Sequence, residues 1–581
     1  MERKMSIPKV ISISLLLIML PVFGGEGSGF SGTSGVKDME IWYGGGQLEW
    51  KTYLGEHNRT SISTPELCDL NNDGDLEIIV ATMNGSIFAL DPDGSMFWTE
   101  PYMDLEIEAL GERNWTGPGN ITPVPFFSSP TAVDINPGAN PEIVIGGKGK
   151  IVCIGADGQK QWNYSIPNSS VFSPVTVTDL EGEFNGSREY WEIVFIADHE
   201  NGTSSLICLD TTGKENFRYW LGEEYFGLGS AVAISDLDGD FRSNGTSVDP
   251  DPGKERSQEM VFSGYGHSLN ILGIGYNSSS DEYETYLSIR EAGADISSST
   301  PCIVNMDDDR EMEIMVLNNY GSEQNSSKGN RSAFDPDGEI VWSNANDSAG
   351  SGFFGSPVAA DLDNLIRDSG EDYSPDIITV GYDSILRVLN SSNGVEKWNF
   401  DTGSPIYSSP AICDINMDLE AEIVVSSSDG KIFMLDGDPT DGIDEGAPYP
   451  GDGPEQDVLW VYDTRTEIGI SSPVIADIDL DGQLEVVVGD TSGNVYCIST
   501  CGFACRGTMD WPTFQGNHNR TGVYSVYITY GVDIYPSVQG PGSRVRSISP
   551  LGTIIINLTI ENIGKGISVL NRDKIFVKID Q

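Results

Sequence analysis

The chain has 581 residues, with 33 Lys and Arg against 88 Asp and Glu, and a formal charge of −55 at pH 7. That balance excludes a protein that holds nucleic acid by neutralising phosphates, which needs a basic footprint. With 38% hydrophobic residues the chain is too apolar for an acidic disordered tail, and its 67 Gly and 30 Pro suit a turn-rich all-β architecture. His57, His199, His267 and His518 are the only histidines and none lies near another in sequence, which leaves little room for histidine-based catalysis.

Residues 1–25 read as a secretory signal peptide. Arg3, Lys4 and Lys9 precede the apolar run Val10–Phe23, which ends at Gly24 and Gly25. The run is shorter than the ~20 residues of a spanning helix, so an uncleaved anchor is the alternative, and no other segment is apolar for long enough to span. Residues 26–40 form a Gly/Ser-rich linker. Asn-x-Ser/Thr triplets at Asn58, Asn84, Asn114, Asn120, Asn163, Asn201, Asn244, Asn325, Asn346 and Asn557 permit N-glycosylation.

Self-similarity dominates residues 41–524. Each copy runs through Ser-Pro, an apolar strand ending in an acid, an acidic turn, Glu-Ile-Val-Val, Asp-Gly, a second apolar strand, Gly and Trp. The last full copy is Ser471–Ile498, and the others start near Pro65, Pro130, Pro174, Ala231, Pro301, Pro357 and Pro410. Trp98, Trp162, Trp220, Trp342, Trp398 and Trp460 close most copies, with Tyr286 in that region of the fourth. Short β-branched runs between turn residues imply four strands per copy. The prediction is an all-β chain folded as an eight-bladed β-propeller, with seven blades as the alternative.

A second phrase occurs at both ends of the repeats. Trp50 is followed by His57-Asn58-Arg59-Thr60, and Trp511 by His518-Asn519-Arg520-Thr521. The two copies suggest equivalent places where first and last blades meet, as a structural latch or a His/Arg ligand site. Cys68, Cys153, Cys208, Cys302, Cys413 and Cys497 are spread among the repeats and read as small buried hydrophobes. Cys501 and Cys505 share one Gly-containing loop and could pair locally.

Four first turns carry oxygen ligands at alternating positions that end in Glu. They are Asp69-Asn71-Asp73-Asp75-Glu77, Asn305-Asp307-Asp309-Glu311-Glu313, Asp414-Asn416-Asp418-Glu420-Glu422 and Asp477-Asp479-Asp481-Gln483-Glu485. Positions one, three and five of such a turn converge, and the ninth adds a carboxylate, giving the oxygen-rich shell that Ca²⁺ prefers. Without a cation these carboxylates repel one another. The other turns look degraded. Asp134 and Asn136 run into Pro137, and Asp236, Asp238 and Asp240 begin a site whose closing acid is lost in a long insertion.

The Ser-Ser-Pro…Asp-x-Asp-x-Asp-Gly…Glu-Val-Val phrase resembles calcium-loop repeats of the FG-GAP/VCBS type. The Asp-Gly…apolar strand…Gly…Trp portion resembles the repeats of PQQ-like (quinoprotein-type) propellers. The quinone of that second family is not expected, because its adjacent cysteine pair and the Cys-x-x-Cys-His haem attachment of some relatives are both missing here. No nucleophile–base constellation stands out either.

The first turn is expanded in Leu180–Trp191, Leu237–Glu259 and Leu362–Asp376, and a further insertion spans Gly437–Asp457. On one face these would raise a rim with Tyr190, Trp191 and Tyr373 available for glycan or protein contact, unless they are neutral decoration of tolerant loops. Residues 525–581 resemble the first part of a CARDB or other immunoglobulin-like β-sandwich, too short for a full domain. The reading is a secreted or cell-surface calcium-binding propeller acting as a non-catalytic binding or adhesion module. Its expected ligand is an extracellular protein or glycan. The alternatives are an extracellular carbohydrate-active lyase or hydrolase on a propeller platform, and a purely structural spacer.

Overall fold

The computed structural model describes residues 46–54, 61–99, 101–102, 105, 128–136, 140–180, 191–222, 230–238, 258–264, 267–277, 282–292, 299–307, 311–320, 328–344, 355–362, 375–415, 421–437, 458–503, 512–513 and 523–524. They belong to one compact unit, Tyr43–Ile366 with Glu371–Ile528. The signal, linker and sandwich segments, the expanded loop tips with Tyr190 and Tyr373, Cys505, and the two His-Asn-Arg-Thr phrases lie outside the described residues.

Among the described residues, each of the eight repeats opens with a three-residue, largely buried strand. These are Glu66–Cys68, Thr131–Val133, Thr176–Thr178, Ala233–Ser235, Cys302–Val304, Val358–Ala360, Ala411–Cys413 and Val474–Ala476. The Glu-Ile-Val-Val segment then forms a second strand buried on both faces, as in Glu77–Ala81 and Glu422–Ser426. A continuous apolar run is what a strand covered on both faces requires. Outer strands such as Glu396–Asp401 mix exposed and half-buried positions, since one side meets water.

The strands pair in chain order as antiparallel meanders. Val358–Ala360, Asp376–Thr379, Ile385–Asn390 and Glu396–Asp401 make one sheet, and Ala411–Cys413, Glu422–Ser426, Lys431–Leu435 and Val458–Asp463 make the next. The second and third repeats are joined into one sheet where Ser169 and Ser170 pair with His199 and Asp198. The core is divided into slabs between neighbouring repeats. Leu180, Val194 and Leu206 of the third pack with Val232, Met260 and Phe262 of the fourth, for example. A four-stranded meander, repeated and covered on its faces by its neighbours, is the blade of a β-propeller. Among the described residues there is no helix long and apolar enough to cross a membrane.

The Ser-Pro phrase has a role that periodicity does not reveal. Ala231 N–H donates to Thr300 Oγ1 (3.0 Å), Thr300 N–H to Ser356 Oγ (2.9 Å) and Ser356 N–H to Ser409 Oγ (2.8 Å). Ser409 N–H continues to Ser472 Oγ (3.0 Å), and Ser472 N–H to Thr64 Oγ1 (3.0 Å). The belt therefore passes from the last repeat to the first by the contact that links the repeats before it.

Two further contacts join last to first. The strand Gln47–Tyr53 is the outer strand of the last sheet, paired with Asn494–Phe503. Its Trp50 donates from Nε1 to Pro92 O (2.7 Å), as Trp98 does to Ala156 O (2.8 Å), Trp162 to Thr211 O (3.1 Å) and Trp398 to Gly437 O (3.1 Å). Gly94 is obligatory beneath Trp50, because its φ is +79° and an added Cβ would stand 2.6 Å from the indole. Leu54, Ile62 and Ile78 also share a core slab with Val474, Val487 and Cys497.

The second Trp-His phrase itself lies outside the described residues. The outer position of the last sheet is already filled by Gln47–Tyr53. The chain flanking the second phrase instead follows innermost strands: Pro512 O accepts from Ile475 N–H (2.9 Å), and Val523–Tyr524 pairs in parallel with Ile303 and Val304. The six repeat cysteines form no disulfide, with Cys153, Cys208, Cys302, Cys413 and Cys497 buried, as expected, and Cys68 half-buried.

Candidate cation sites in the first turns

The closing acid of the first turn is held the same way in seven repeats. Glu77, Glu142, Glu192, Glu259, Glu313, Glu422 and Glu485 each accept, through Oε2, the backbone N–H of the residue after the Asp, or Asn305, that opens the turn. The peptide so held also ties repeats together. Ile478 O accepts from Leu76 N–H (2.8 Å), Leu180 O from Gln258 N–H (2.9 Å) and Leu237 O from Met312 N–H (2.8 Å). One carboxylate oxygen is thus structural, and the other is left for a ligand or a side chain.

Glu259 corrects the sequence reading of the fourth repeat. Its closing acid is not lost, because the insertion brings the chain back so that Glu259 bonds Leu237 N–H at 3.0 Å. Oxygens of Asp236, Asp238 and Glu259 all lie within 4.8 Å of one another. The signal was present in the Glu-Met-Val-Phe start of the next strand, which matches Glu-Ile-Val-Val, but a fixed nine-residue spacing hides it.

In the last repeat, oxygens of Asp477, Asp479 and Glu485 gather within the same limit. Ligands on a shell of 2.3–2.6 Å around Ca²⁺ are separated by no more than about 5 Å, so both triads fit one ion. Asp477 Oδ2 accepts from Gly482 N–H (3.2 Å), whereas Asp477 Oδ1 is buried without a hydrogen-bond partner. The turn is shaped by Leu480 at φ 54° and Gly482 at φ 90°, matched in the first repeat by Asn72 at φ 59° and Gly74 at φ 107°. Leucine is a poor occupant of the left-handed region, so the surrounding bonds over-determine this backbone.

The described ligands of the first repeat bond largely to their own turn. In the first repeat Asp69 accepts from Asp73 and Gly74 N–H (3.1 and 2.9 Å), Asn71 from Asp73 N–H (2.8 Å), and Asp73 from Asp75 N–H (3.1 Å). Asn71 Nδ2 donates to the free oxygen of Glu77 (3.1 Å). Asp481 and Gln483 hydrogen-bond each other at the exposed edge of the last turn. In the fifth repeat Asn305 accepts from Asp307 N–H (3.2 Å) and Glu311 is exposed, while Asp309 lies outside the described residues. In the seventh, Asp414 and Glu422 are buried, and Asn416, Asp418 and Glu420 lie outside them.

Crowded acids shift one another. Burial, with Glu49, Asp479 and Asp477 nearby, pushes Glu485 up to about 9 despite the bond from Ile478. Burial and the neighbouring Asp481 and Asp479 push Asp477 up to about 6, and burial with Asp73 and Asp69 pushes Glu77 up to about 7. Asp75 of the first sheet is raised as well, by burial and then by Asp73 and by Asp479 of the last. Carboxylates therefore accumulate where the first and last sheets meet.

In two repeats a neighbouring side chain meets the closing acid. Lys397 Nζ lies 2.8 Å from Asp376 Oδ1 in the sixth, and Gln161 Nε2 donates to Glu142 Oε1 (3.1 Å) in the second. Both side chains immediately precede the outer-strand tryptophan. The last sheet has Glu49 there, raised by burial and by Asp479 and Asp481. Sequence reading missed Glu49, Gln161 and Lys397, although their place before a tryptophan could have marked them.

No family model and no curated relative matches the chain. Among solved structures, it is similar to the V. cholerae biofilm matrix protein Bap1 at 12% identity and TM-score 0.48, over 83% of this chain and 96% of that one. BamB from Moraxella catarrhalis is similar at 12% identity and TM-score 0.42, over 78% and 96%. The quinohemoprotein alcohol dehydrogenase from Comamonas testosteroni is similar at 12% and 0.43, over 79% and 77%.

Proposed function

We propose that this chain is an extracellular, calcium-stabilised β-propeller of eight blades that serves as a non-catalytic binding or adhesion module. A protein or glycan is its ligand. The blade number is supported by the eight innermost strands, and closure by the Ser472–Thr64, Trp50–Pro92 and Leu76–Ile478 hydrogen bonds. The signal-like N-terminus supports export, where millimolar calcium fills sites of modest affinity.

One observation carries the calcium assignment. The buried Asp477 Oδ1 has no hydrogen-bond partner, and Asp477 belongs to a triad that offers one oxygen from each residue within 4.8 Å of the others. Burying an uncompensated carboxylate is costly, and a divalent cation supplies the missing partner. Asp477, Asp479 and Glu485 would hold one ion, and Asp236, Asp238 and Glu259 a second. Chelator-treated protein should melt at a lower temperature, Ca²⁺ should restore it, and Asp477→Ala should remove much of the restored part. A melting temperature indifferent to metal removal and return overturns the assignment. Binding to a glycan or protein array without release of products tests the non-catalytic role.

A further inference from the structure

The tryptophans of the first, second, fifth and sixth repeats dock on the next sheet, whereas Trp220 of the third is 59% exposed against 7% for Trp98. Trp220 is nonetheless held in place. The His199 ring lies 5.4 Å from it at a tilt of 35°, and the Arg218 guanidinium lies 5.7 Å from its ring. His199 Nε2 is in turn 2.9 Å from Ser205 Oγ, and Arg218 Nη2 is bound to Glu215 (3.0 Å) and Tyr164 (2.6 Å). An indole fixed on one side and open on the other is a stacking platform.

Beside it, the hairpin between Glu192–His199 and Ser204–Asp210 turns through Asn201-Gly202-Thr203. Asn201 is exposed, and Gly202 at φ +83° has nothing within 4 Å of where a Cβ would stand, so the tip faces open space. Thr203 donates twice to Asn201 Oδ1, from N–H at 3.1 Å and from Oγ1 at 2.8 Å. Both donors draw charge onto the oxygen and ease loss of a proton from Nδ2. Other described triplets are less suited. At Asn84 the third residue, Ser86, is buried, and Asn163, Asn168 and Asn330 lie within the extended strands Lys160–Ser170 and Lys328–Phe334; Asn390 accepts the same two bonds from Ser392 (3.1 and 2.6 Å) but is half-buried beside the buried Ser391.

We propose that Asn201 is an N-glycan acceptor whose first sugar rests on the open face of Trp220. This rests on the extracellular reading above. The donor is an oligosaccharide activated on a lipid phosphate. Asn201 Nδ2 bonds to the anomeric carbon as that carbon's bond to the phosphate oxygen breaks. The lipid phosphate leaves with the electron pair, and the amide gives one proton to a base of the external transferase. The C–H face of the pyranose then covers the indole, whose exposure no contact within the described residues accounts for.

The test uses the full chain with its N-terminal segment, made in a host that N-glycosylates exported proteins, with peptide mass spectrometry at Asn201. Asn201 should be occupied, and the glycosylated chain should melt about 1 °C above Asn201→Gln, the scale of one stacking contact in a unit of this size. Trp220→Ala should stay glycosylated yet lose that difference, and Trp220→Phe should keep part of it. An equal difference in Trp220→Ala overturns the platform. A bare Asn201 overturns the acceptor assignment. If the exported chain carries glycan elsewhere, the extracellular reading survives, and if the chain stays inside the cell, that reading falls too.

Discussion

Glu49 stands in the last sheet where Lys397 stands in the sixth: each immediately precedes the outer-strand tryptophan, and each lies close to the closing acid of its own first turn. One position thus carries an ammonium that neutralises Asp376 and, in the other sheet, a further carboxylate beside Asp477, Asp479 and Glu485. The sixth repeat is electrostatically self-sufficient there, whereas the last is not.

Exchanging the two charges tests that relationship. Glu49→Lys should place an ammonium at the acid cluster and stabilise the metal-free protein by about 0.5–1 kcal/mol, since position 49 is exposed and its charge is screened by solvent. The increase in melting temperature on adding Ca²⁺ should shrink accordingly in differential scanning fluorimetry. An undiminished calcium response would separate Glu49 from the site.

Lys397→Met should destabilise the fold by about 1–3 kcal/mol, because Asp376 is only 4% exposed and loses its ion pair with Lys397. The value sits low in the range for buried pairs since the lysine itself meets solvent. Adding Asp376→Asn to that variant should recover most of the loss in denaturant titration, which distinguishes lost charge pairing from lost packing.

Metal-free protein should lose stability as pH rises. Asp477, Glu77 and Glu485 are raised by folding to about 6, about 7 and about 9, so the folded state holds their protons more tightly than the unfolded chain. The stabilisation is complete below the ordinary carboxylate range and is lost as pH climbs through those values. Melting temperatures in chelator should fall between pH 5 and 9. With Ca²⁺ bound the decline should flatten or reverse, since the ion competes with protons.

Trp50→Ala should cost about 3 kcal/mol through lost indole packing over Gly94 and the lost bond to Pro92. The consequence should be localised, with hydrogen exchange rising in Gln47–Tyr53 and Glu66–Cys68 before Ala411–Cys413. Uniform acceleration across all sheets would mean that the seam between last and first sheets is not a separate point of weakness.

Repetition made most of the architecture legible in the chain alone. The Ser-Pro phrase, the Glu-Ile-Val-Val run and the recurrent tryptophan each mark one strand of a meander, because a strand covered on both faces must be continuously apolar. The acidic turns were legible as bends at one phase of the repeat, and in seven repeats the closing Glu bonds a backbone N–H of its own turn. What the chain could not reveal by itself depends on residues far apart in sequence. Glu259 closes a turn begun at Asp236 across a long insertion, and Glu49 enters the last sheet from the opposite end of the repeats. Lys397 and Gln161 reach Asp376 and Glu142 only because strand pairing carries them over an intervening strand. Local pattern determined which elements form, while tertiary proximity decided which charges meet, because electrostatic interaction follows distance in space and takes no account of separation along the chain.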